Sequence, residues 1–272
     1  MHLALDSTLQ LNDGAHMPRL GLGVYQMAHC KDAVLHALNS GYRYIDTAAL
    51  YGNEADVGRA VRESARPRGE VFVATKLWNA DQGFERAVKA GEASLGKLGL
   101  DYIDLYLIHW PEPGKRGDSW RALIELRKRG VARSIGVSNY TIAHLKELMA
   151  SSDVVPAVNQ VEFNPFLYQR ELQEFCNVHG IALVAYCPLA RAHKLNDTRL
   201  QKIAARHART AAQIMIRWAL QRGVGAIPKS SRHARIEENA KVFDFALDAE
   251  EMRQLDALDE GLRTCWDPTC VR

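Results

Sequence analysis

"VFVATKLWNADQGFERAVKAGEASLGKLGLDYIDLYLIHW", residues 71–110, decides the fold. It opens on an apolar run of strand length, Val71 to Leu77, and passes into a segment with helical spacing that closes on Gly99. It then returns to a second apolar run, Asp104 to Trp110. Near-continuous apolar runs belong to strands buried on both faces, and a helix between two of them makes the strands parallel. Glycine just past the last periodic residue is the expected helix stop.

The same alternation continues in both directions. Strand-length runs recur at "RLGLGVY" (19–25), "YRYID" (42–46), "SIGVSN" (134–139), "AVNQVEF" (157–163), "IALVAYCPL" (181–189) and "VGAIPKS" (224–230), which brings the number to eight. Between them lie amphipathic segments such as "KDAVLHALNSG" (31–41), "NEADVGRAVRES" (53–64), "SWRALIELRKRG" (119–130), "TIAHLKELMAS" (141–151), "QRELQEFCNVHG" (169–180) and "RTAAQIMIRWALQRG" (209–223). Eight such units without a composition break or a flexible linker predict an α/β fold, a closed (β/α)8 TIM barrel, as one domain over residues 1–272. Ahead of it, "STLQLNDGAHMPRL" (7–20) has strand-like pieces on either side of Asp13-Gly14, the signal of a β-hairpin closing the bottom of the barrel. A last helix, "DAEEMRQLDALDEG" (248–261), leads into a short irregular tail ending "CWDPTCVR".

Composition narrows the class. The chain is 47% hydrophobic and 25% charged, as expected of a globular protein with a sizeable core. A formal net charge of +3 is too small to argue for nucleic acid. The opening "MHLALDSTLQ" lacks a secretory pattern and no apolar run reaches membrane-span length, so a cytoplasmic monomer is expected. Cys30, Cys176, Cys187, Cys265 and Cys270 are odd in number and form no C-x-x-C, which favours free thiols over a disulfide framework. A Cys265–Cys270 pair in the tail is the minor alternative.

In a barrel of parallel strands, reactive groups gather at the C-terminal strand ends. Those positions hold Tyr25, Asp46 and then Tyr51, Lys76 and Trp78, His109 and Trp110, Ser138 and Asn139, Gln160, Tyr186 and Lys229. Singly, each has a bland reading: Asp46 as a turn acid, His109 as a core histidine, Tyr51 as packing. Lys76 resists one, because an ammonium ending "VFVATK" needs a carboxylate nearby, and Asp46 on the adjacent strand supplies it. Downstream, "IPKSSRHARIEEN" (227–239) gathers Lys229, Arg232 and Arg235 beside Ser230 and Ser231 at a helix start. Cations oppose the helix dipole there unless they face an anion, and three of them suit a dianionic phosphate. Gly21-Leu22-Gly23 lacks the third glycine of a dinucleotide fingerprint and reads as a bend.

"GYRYIDTAALYGNE", "TKLW", "LIHWP", "GVSN", "NQVEFNP" and "IPKSSRHARIEEN", in this order, resemble the aldo-keto reductase family, from the hairpin through "EENAKVFDFAL". The likeness is to its small soluble members, 2,5-diketo-gluconate reductases and prostaglandin F synthase-like reductases. It implies a metal-free NADPH-dependent reduction of a small-molecule carbonyl, with Asp46, Tyr51, Lys76 and His109 in the places of the catalytic tetrad. It further implies Ser138, Asn139 and Gln160 at the nicotinamide carboxamide, Tyr186 stacked on its ring, Pro188 and Leu189 at the pyrophosphate, and Glu238 and Asn239 at the adenine. Tyr25, Trp78 and Trp110 wall the substrate pocket, and Trp266 is either a flap over it or a surface anchor. The chain departs from the family at Cys187, where many relatives carry serine, at Ala190, usually glycine, and at Tyr25, often tryptophan.

Physics gives that tetrad an expected division of labour. Reduction needs hydride at carbon and a proton at the oxygen, where negative charge develops. A lysine ammonium about 4 Å from the Tyr51 phenol favours phenolate by up to ~4 kcal/mol at an effective dielectric near 20, lowering the pKa by at most ~3. His109 is expected as a neutral donor orienting the carbonyl. Two other readings compete: a Schiff-base barrel enzyme using Lys76, and a non-catalytic NADPH-binding regulatory subunit. Asp46 weighs against the first by holding the amine protonated.

Overall fold

The eight parallel strands share one sheet, and pairing between its first and last members closes it. The structure, a computed structural model, describes residues 3–271. A short hairpin comes first, β1 (Thr8–Gln10) and β2 (His16–Pro18). The sheet follows as β3 (Leu22–Gly23), β4 (Tyr44–Asp46), β5 (Phe72–Leu77), β6 (Ile103–Ile108), β7 (Ala132–Ser138), β8 (Val158–Glu162), β9 (Ala182–Tyr186) and β10 (Gly225–Ala226). Each strand pairs in parallel with the next. Leu20 bridges Ala226 in parallel, and Gly21 N donates to Ala226 O at 2.9 Å, joining the sheet's edges.

Helices cover the outside: α1 (Cys30–Asn39), α2 (Glu54–Glu63), α3 (Phe84–Leu98), α4 (Arg116–Lys128), α5 (Ile142–Ala150), α6 (Arg170–Val178), α7 (Thr198–Arg206), α8 (Ala211–Gln221), α9 (His233–Ala240) and α10 (Ala249–Asp256). Helix α7 was not among the expected segments. Only Leu200, Ile203 and Ala204 of its nine residues are buried, so its apolar stripe is thin. What starts it is Asp197, whose carboxylate accepts from Arg199 N and Leu200 N as an N-cap.

Alternation along the strands sorts the interior. Tyr44, Phe72, Ala74, Leu105, Leu107, Val158 and Val184 pack together inside the ring, while Ile45, Val73, Leu77, Tyr106 and Ile108 join the shell under the helices. The hairpin reaches the same inner cluster through Leu11 and Met17, and Met17 is fully buried. That burial contributes ~1.5–3 kcal/mol and stoppers the N-terminal mouth with hydrocarbon. Asp13 serves the hairpin turn: its Oδ1 accepts Ala15 N at 3.1 Å, and Gly14 takes φ +89°. No helix among the described residues is long and apolar enough to cross a membrane.

Candidate active site

Period-two alternation also fixes what the C-terminal mouth receives. If Tyr44 points inward, so does Asp46; Phe72 and Ala74 bring Lys76; Leu105 and Leu107 bring His109. Lys76 is fully buried and Asp46 nearly so. Lys76 Nζ donates to Asp46 Oδ1 at 2.5 Å and to the Thr47 carbonyl at 2.8 Å. The other carboxylate oxygen accepts from Gln160 Nε2 at 2.6 Å and from the Tyr44 hydroxyl at 3.2 Å. Burial pulls the Lys76 amine below the ordinary lysine value, and Asp46 pulls it back up.

Tyr51 sits in a single 3-10 turn (Ala49–Tyr51) directly after β4. The loop is held by Asn53, whose amide oxygen accepts the Thr47 hydroxyl at 2.6 Å and whose Nδ2 donates to Val24 O at 2.9 Å. The Lys76 ammonium lies 5.1 Å from the centre of the Tyr51 ring. Tyr25 packs on that ring at 4.8 Å and His109 meets it edge-on at 5.7 Å. The phenol pKa moves opposite to the expectation from sequence. Burial pushes it well above the ordinary tyrosine value and the Asp46 charge adds to the rise. The reason is geometric: Lys76 is neutralised by Asp46 in direct contact, so desolvation of the phenolate dominates.

His109 is buried, and its Nδ1 has no hydrogen-bond partner among the described residues. Burial, and then the Lys76 charge, hold its pKa well below the ordinary histidine value, so the ring is neutral near neutral pH. Trp78 meets its edge at 5.3 Å. Trp110 is buried and carries Trp266 against it at 5.7 Å, so the tail does reach back to this wall.

A second network lies across the mouth. Asn139, in the left-handed region with φ +64°, donates from Nδ2 to the His109 carbonyl at 2.9 Å and accepts the Tyr186 hydroxyl on Oδ1 at 2.7 Å. Ser138 Oγ donates to the Gln160 carbonyl at 2.8 Å. Pro188 is buried and Leu189 half-buried beside it. Their loop is tight: Cys187, Ala190, Arg191 and Ala192 all have positive φ, from +45° to +69°. For residues with a Cβ that geometry costs ~1–2 kcal/mol each, which explains why glycine suits position 190.

Beyond β10, Lys229, Arg232 and Arg235 are exposed and have no carboxylate partner among the described residues. Ser231 is exposed, whereas Ser230 turns inward and its Oγ accepts Arg232 N at 3.1 Å. On the same helix α9, Glu238 accepts the Thr210 hydroxyl at 2.9 Å, and Asn239 is buried. No group of three or more His, Cys, Asp or Glu among the described residues is arranged to hold a metal ion. A recess of about 410 Å³ at the opposite mouth, lined by His16, Arg43 and Asp104 among others, is far from this constellation.

Sequence reasoning missed Tyr44 and Glu162. Both are inward residues two positions before and after ones it singled out, Asp46 and Gln160, so the alternation was the available signal. Glu162 is buried, and its carboxylate accepts from Thr264 N at 2.8 Å, the Thr264 hydroxyl, and Cys265 N at 3.2 Å. It moors the tail to β8.

Fold and site together define a (β/α)8 barrel whose C-terminal mouth holds a buried ammonium–carboxylate pair beside a phenol and a neutral imidazole. The Aldo/keto reductase family profile matches residues 10–260, and the chain belongs to that family of oxidoreductases. Among curated relatives, glyoxal reductase of Bacillus subtilis (strain 168) is 46% identical over 271 residues, spanning 98% of each chain. The 9,11-endoperoxide prostaglandin H2 reductase of Trypanosoma cruzi (strain CL Brener) is 48% identical over 264 residues, 95% of this chain and 93% of that one. A solved structure of a Gox0644 variant in complex with NADPH superposes with a TM-score of 0.93 at 41% identity, covering 98% of this chain and 99% of the other.

Proposed function

We propose that this chain, acting as one barrel unit, reduces aldehydes or ketones to alcohols with NADPH, and that Tyr51 gives the proton to the carbonyl oxygen. The observation that carries the reading is the fully buried Lys76–Asp46 pair, whose ammonium faces the Tyr51 ring at 5.1 Å. A phenol with a raised pKa is fully protonated, and an emerging alkoxide is basic enough to take its proton. As the phenolate forms, the Lys76 cation facing the ring favours it, less the part offset by Asp46. Neutral His109, whose Nδ1 has no hydrogen-bond partner among the described residues, orients the carbonyl. Tyr25, Trp78 and Trp110 wall off water.

NADPH supplies the hydride when bound. Lys229, Arg232 and Arg235, exposed and without acids of their own, suit its 2′-phosphate, with Ser231 beside them and Glu238 and Asn239 along the same helix for the adenine. Ser138, Asn139, Tyr186, Pro188 and Leu189 serve the other half. The Tyr186 hydroxyl bond to Asn139 sets the ring that would lie against the nicotinamide. Gln160 already spends one amide N–H on Asp46, which leaves its second N–H and its oxygen for a carboxamide. The relative named glyoxal reductase supports a small aldehyde as substrate.

Tyr51→Phe tests this. The variant should keep NADPH affinity by fluorescence titration and lose carbonyl reduction by about 10²–10⁴-fold, the usual worth of a positioned general acid. Unchanged turnover would refute the assignment.

A further inference from the structure

The sulfurs of Cys187 and Cys265 lie 3.5 Å apart, although the residues are distant in sequence and neither is needed by the chemistry above. Both are free and partly exposed, whereas Cys30 and Cys176 are buried. Cys187 follows Tyr186 at the end of β9; Cys265 precedes Trp266, the residue resting on Trp110. The encounter is held from a third side, since the buried Glu162 carboxylate accepts from Thr264 and Cys265 backbone N–H groups. We propose that Cys187 and Cys265 form a thiol oxidation site, which hydrogen peroxide converts to a disulfide that pins the C-terminal segment across the pocket mouth.

The step balances. The Cys265 thiolate attacks one peroxide oxygen, breaking O–O; the hydroxide released leaves as water, and Cys265 becomes a sulfenic acid. The Cys187 sulfur then attacks Cys265, forming S–S and breaking S–O, and the hydroxyl departs as a second water with the Cys187 proton. Two thiols lose two electrons and the peroxide gains them. The roles follow from the pair's asymmetry. Cys265 is lowered first by the hydrogen bond it shares with Cys187, whereas that bond and then burial raise Cys187. Closing from 3.5 Å to a bonded ~2.05 Å asks for a movement of about 1.5 Å, within reach of a tail side chain. Sulfenic acids condense with the thiol already beside them, so Cys187 captures Cys265 ahead of Cys270, which is exposed and whose sulfur is not in contact.

Fixing Cys265 fixes Trp266 against Trp110, so oxidation should shut out bulky carbonyls and spare small ones. That consequence rests on the function proposed above; the crosslink itself does not. The full chain is treated with hydrogen peroxide, alkylated, digested and mapped by mass spectrometry, beside Cys265→Ser. The expected result is a Cys187–Cys265 peptide pair, two hydrogens lighter, absent from the variant and removed by dithiothreitol. A Cys265–Cys270 linkage, or sulfinic Cys265 beside alkylated Cys187, overturns the site. Oxidation should also slow tryptic cleavage after Arg263 and lower kcat/KM for a bulky aromatic ketone several-fold relative to glyoxal, both reversed by dithiothreitol. Unchanged cleavage overturns the pinning whether or not the chain reduces carbonyls, and an unchanged ratio in an active enzyme overturns the gating.

Discussion

Replacing Asp46 with asparagine isolates the electrostatics on which the site depends. The carboxylate now accepts Lys76, Gln160 and Tyr44. Asparagine has the same outline, but its charge is gone and its NH2 group must face at least one of those donors. With the amide oxygen toward Lys76 its NH2 group opposes the Gln160 N–H, and with the oxygen toward Gln160 the ammonium keeps only the Thr47 carbonyl at 2.8 Å; in either orientation the buried charge loses its counter-ion. Removing one partner of a buried pair costs ~3–5 kcal/mol. At ~2–4 °C per kcal/mol for a chain of this size, Tm should fall by about 6–20 °C. The pH dependence gives the sign. A base whose pKa is lower in the fold than in the unfolded chain destabilises most below its folded pKa, and stability returns as pH rises through it. Burial lowers Lys76 and only Asp46 opposes that, so the variant's amine sheds its proton earlier than the parent's. The deficit should therefore shrink as pH rises toward the ordinary lysine range, by at most ~1.4 kcal/mol per unit. Urea melts of both proteins over that rise read it directly. A further change, Lys76→Met, should restore stability by removing the orphaned charge, without restoring carbonyl reduction. A stability loss under ~1 kcal/mol, or a deficit that widens with pH, would refute the account.

Three other outcomes follow from the same coordinates. Lys229→Ala should weaken NADPH by about tenfold or more and NADH far less, because charge-assisted contact to a 2′-phosphate is worth ~1.5–3 kcal/mol; equal losses in fluorescence titrations would remove the phosphate argument. In wild-type kcat/KM profiles no limb should appear near pH 6.5, since burial and Lys76 keep His109 neutral to well below that value, and a limb there that vanishes in His109→Gln would contradict it. Gly58→Ala should destabilise by at least ~2–3 kcal/mol in urea: a Cβ there would stand 1.7 Å from the Leu98 carbonyl oxygen, so helices α2 and α3 must part.

Much of this was legible in the chain because strands write their two sides at alternate positions. Once Tyr44, Phe72 and Leu105 are inward, Asp46, Lys76 and, past the strand end, His109 must be inward too, and nothing about their partners need be known. What was not legible is the set of contacts made across the ring, between strands far apart in sequence. Gln160 and Asp46 stand on β8 and β4, and the amide–carboxylate bond between them depends on the ring's diameter and stagger, which no local pattern records. The Tyr51 pKa failed for a related reason. The expected fall set the Lys76 charge against a partial offset from Asp46 and left out the loss of water around the phenol, which decides the direction. Helix α7 escaped because a cap and three buried residues sufficed to make it.

The two mouths of the barrel divide the work in a way that makes the costly one tolerable. At the N-terminal mouth Leu11, Met17 and Phe72 bury hydrocarbon against Tyr44, whose ring meets Phe72 edge-on at 5.2 Å. The same Tyr44 turns its hydroxyl upward to Asp46, so one side chain spans from the apolar stopper to the ionised layer. An ammonium enclosed at the other mouth is held only because each of its neighbours is itself held: Asp46 by Tyr44 and Gln160, Gln160 through its carbonyl by Ser138, and the Tyr51 loop by Asn53. Loosening any of these should therefore disturb Lys76 before it disturbs the fold, which places the sensitivity of catalysis to mutation one layer behind the residues that touch the substrate.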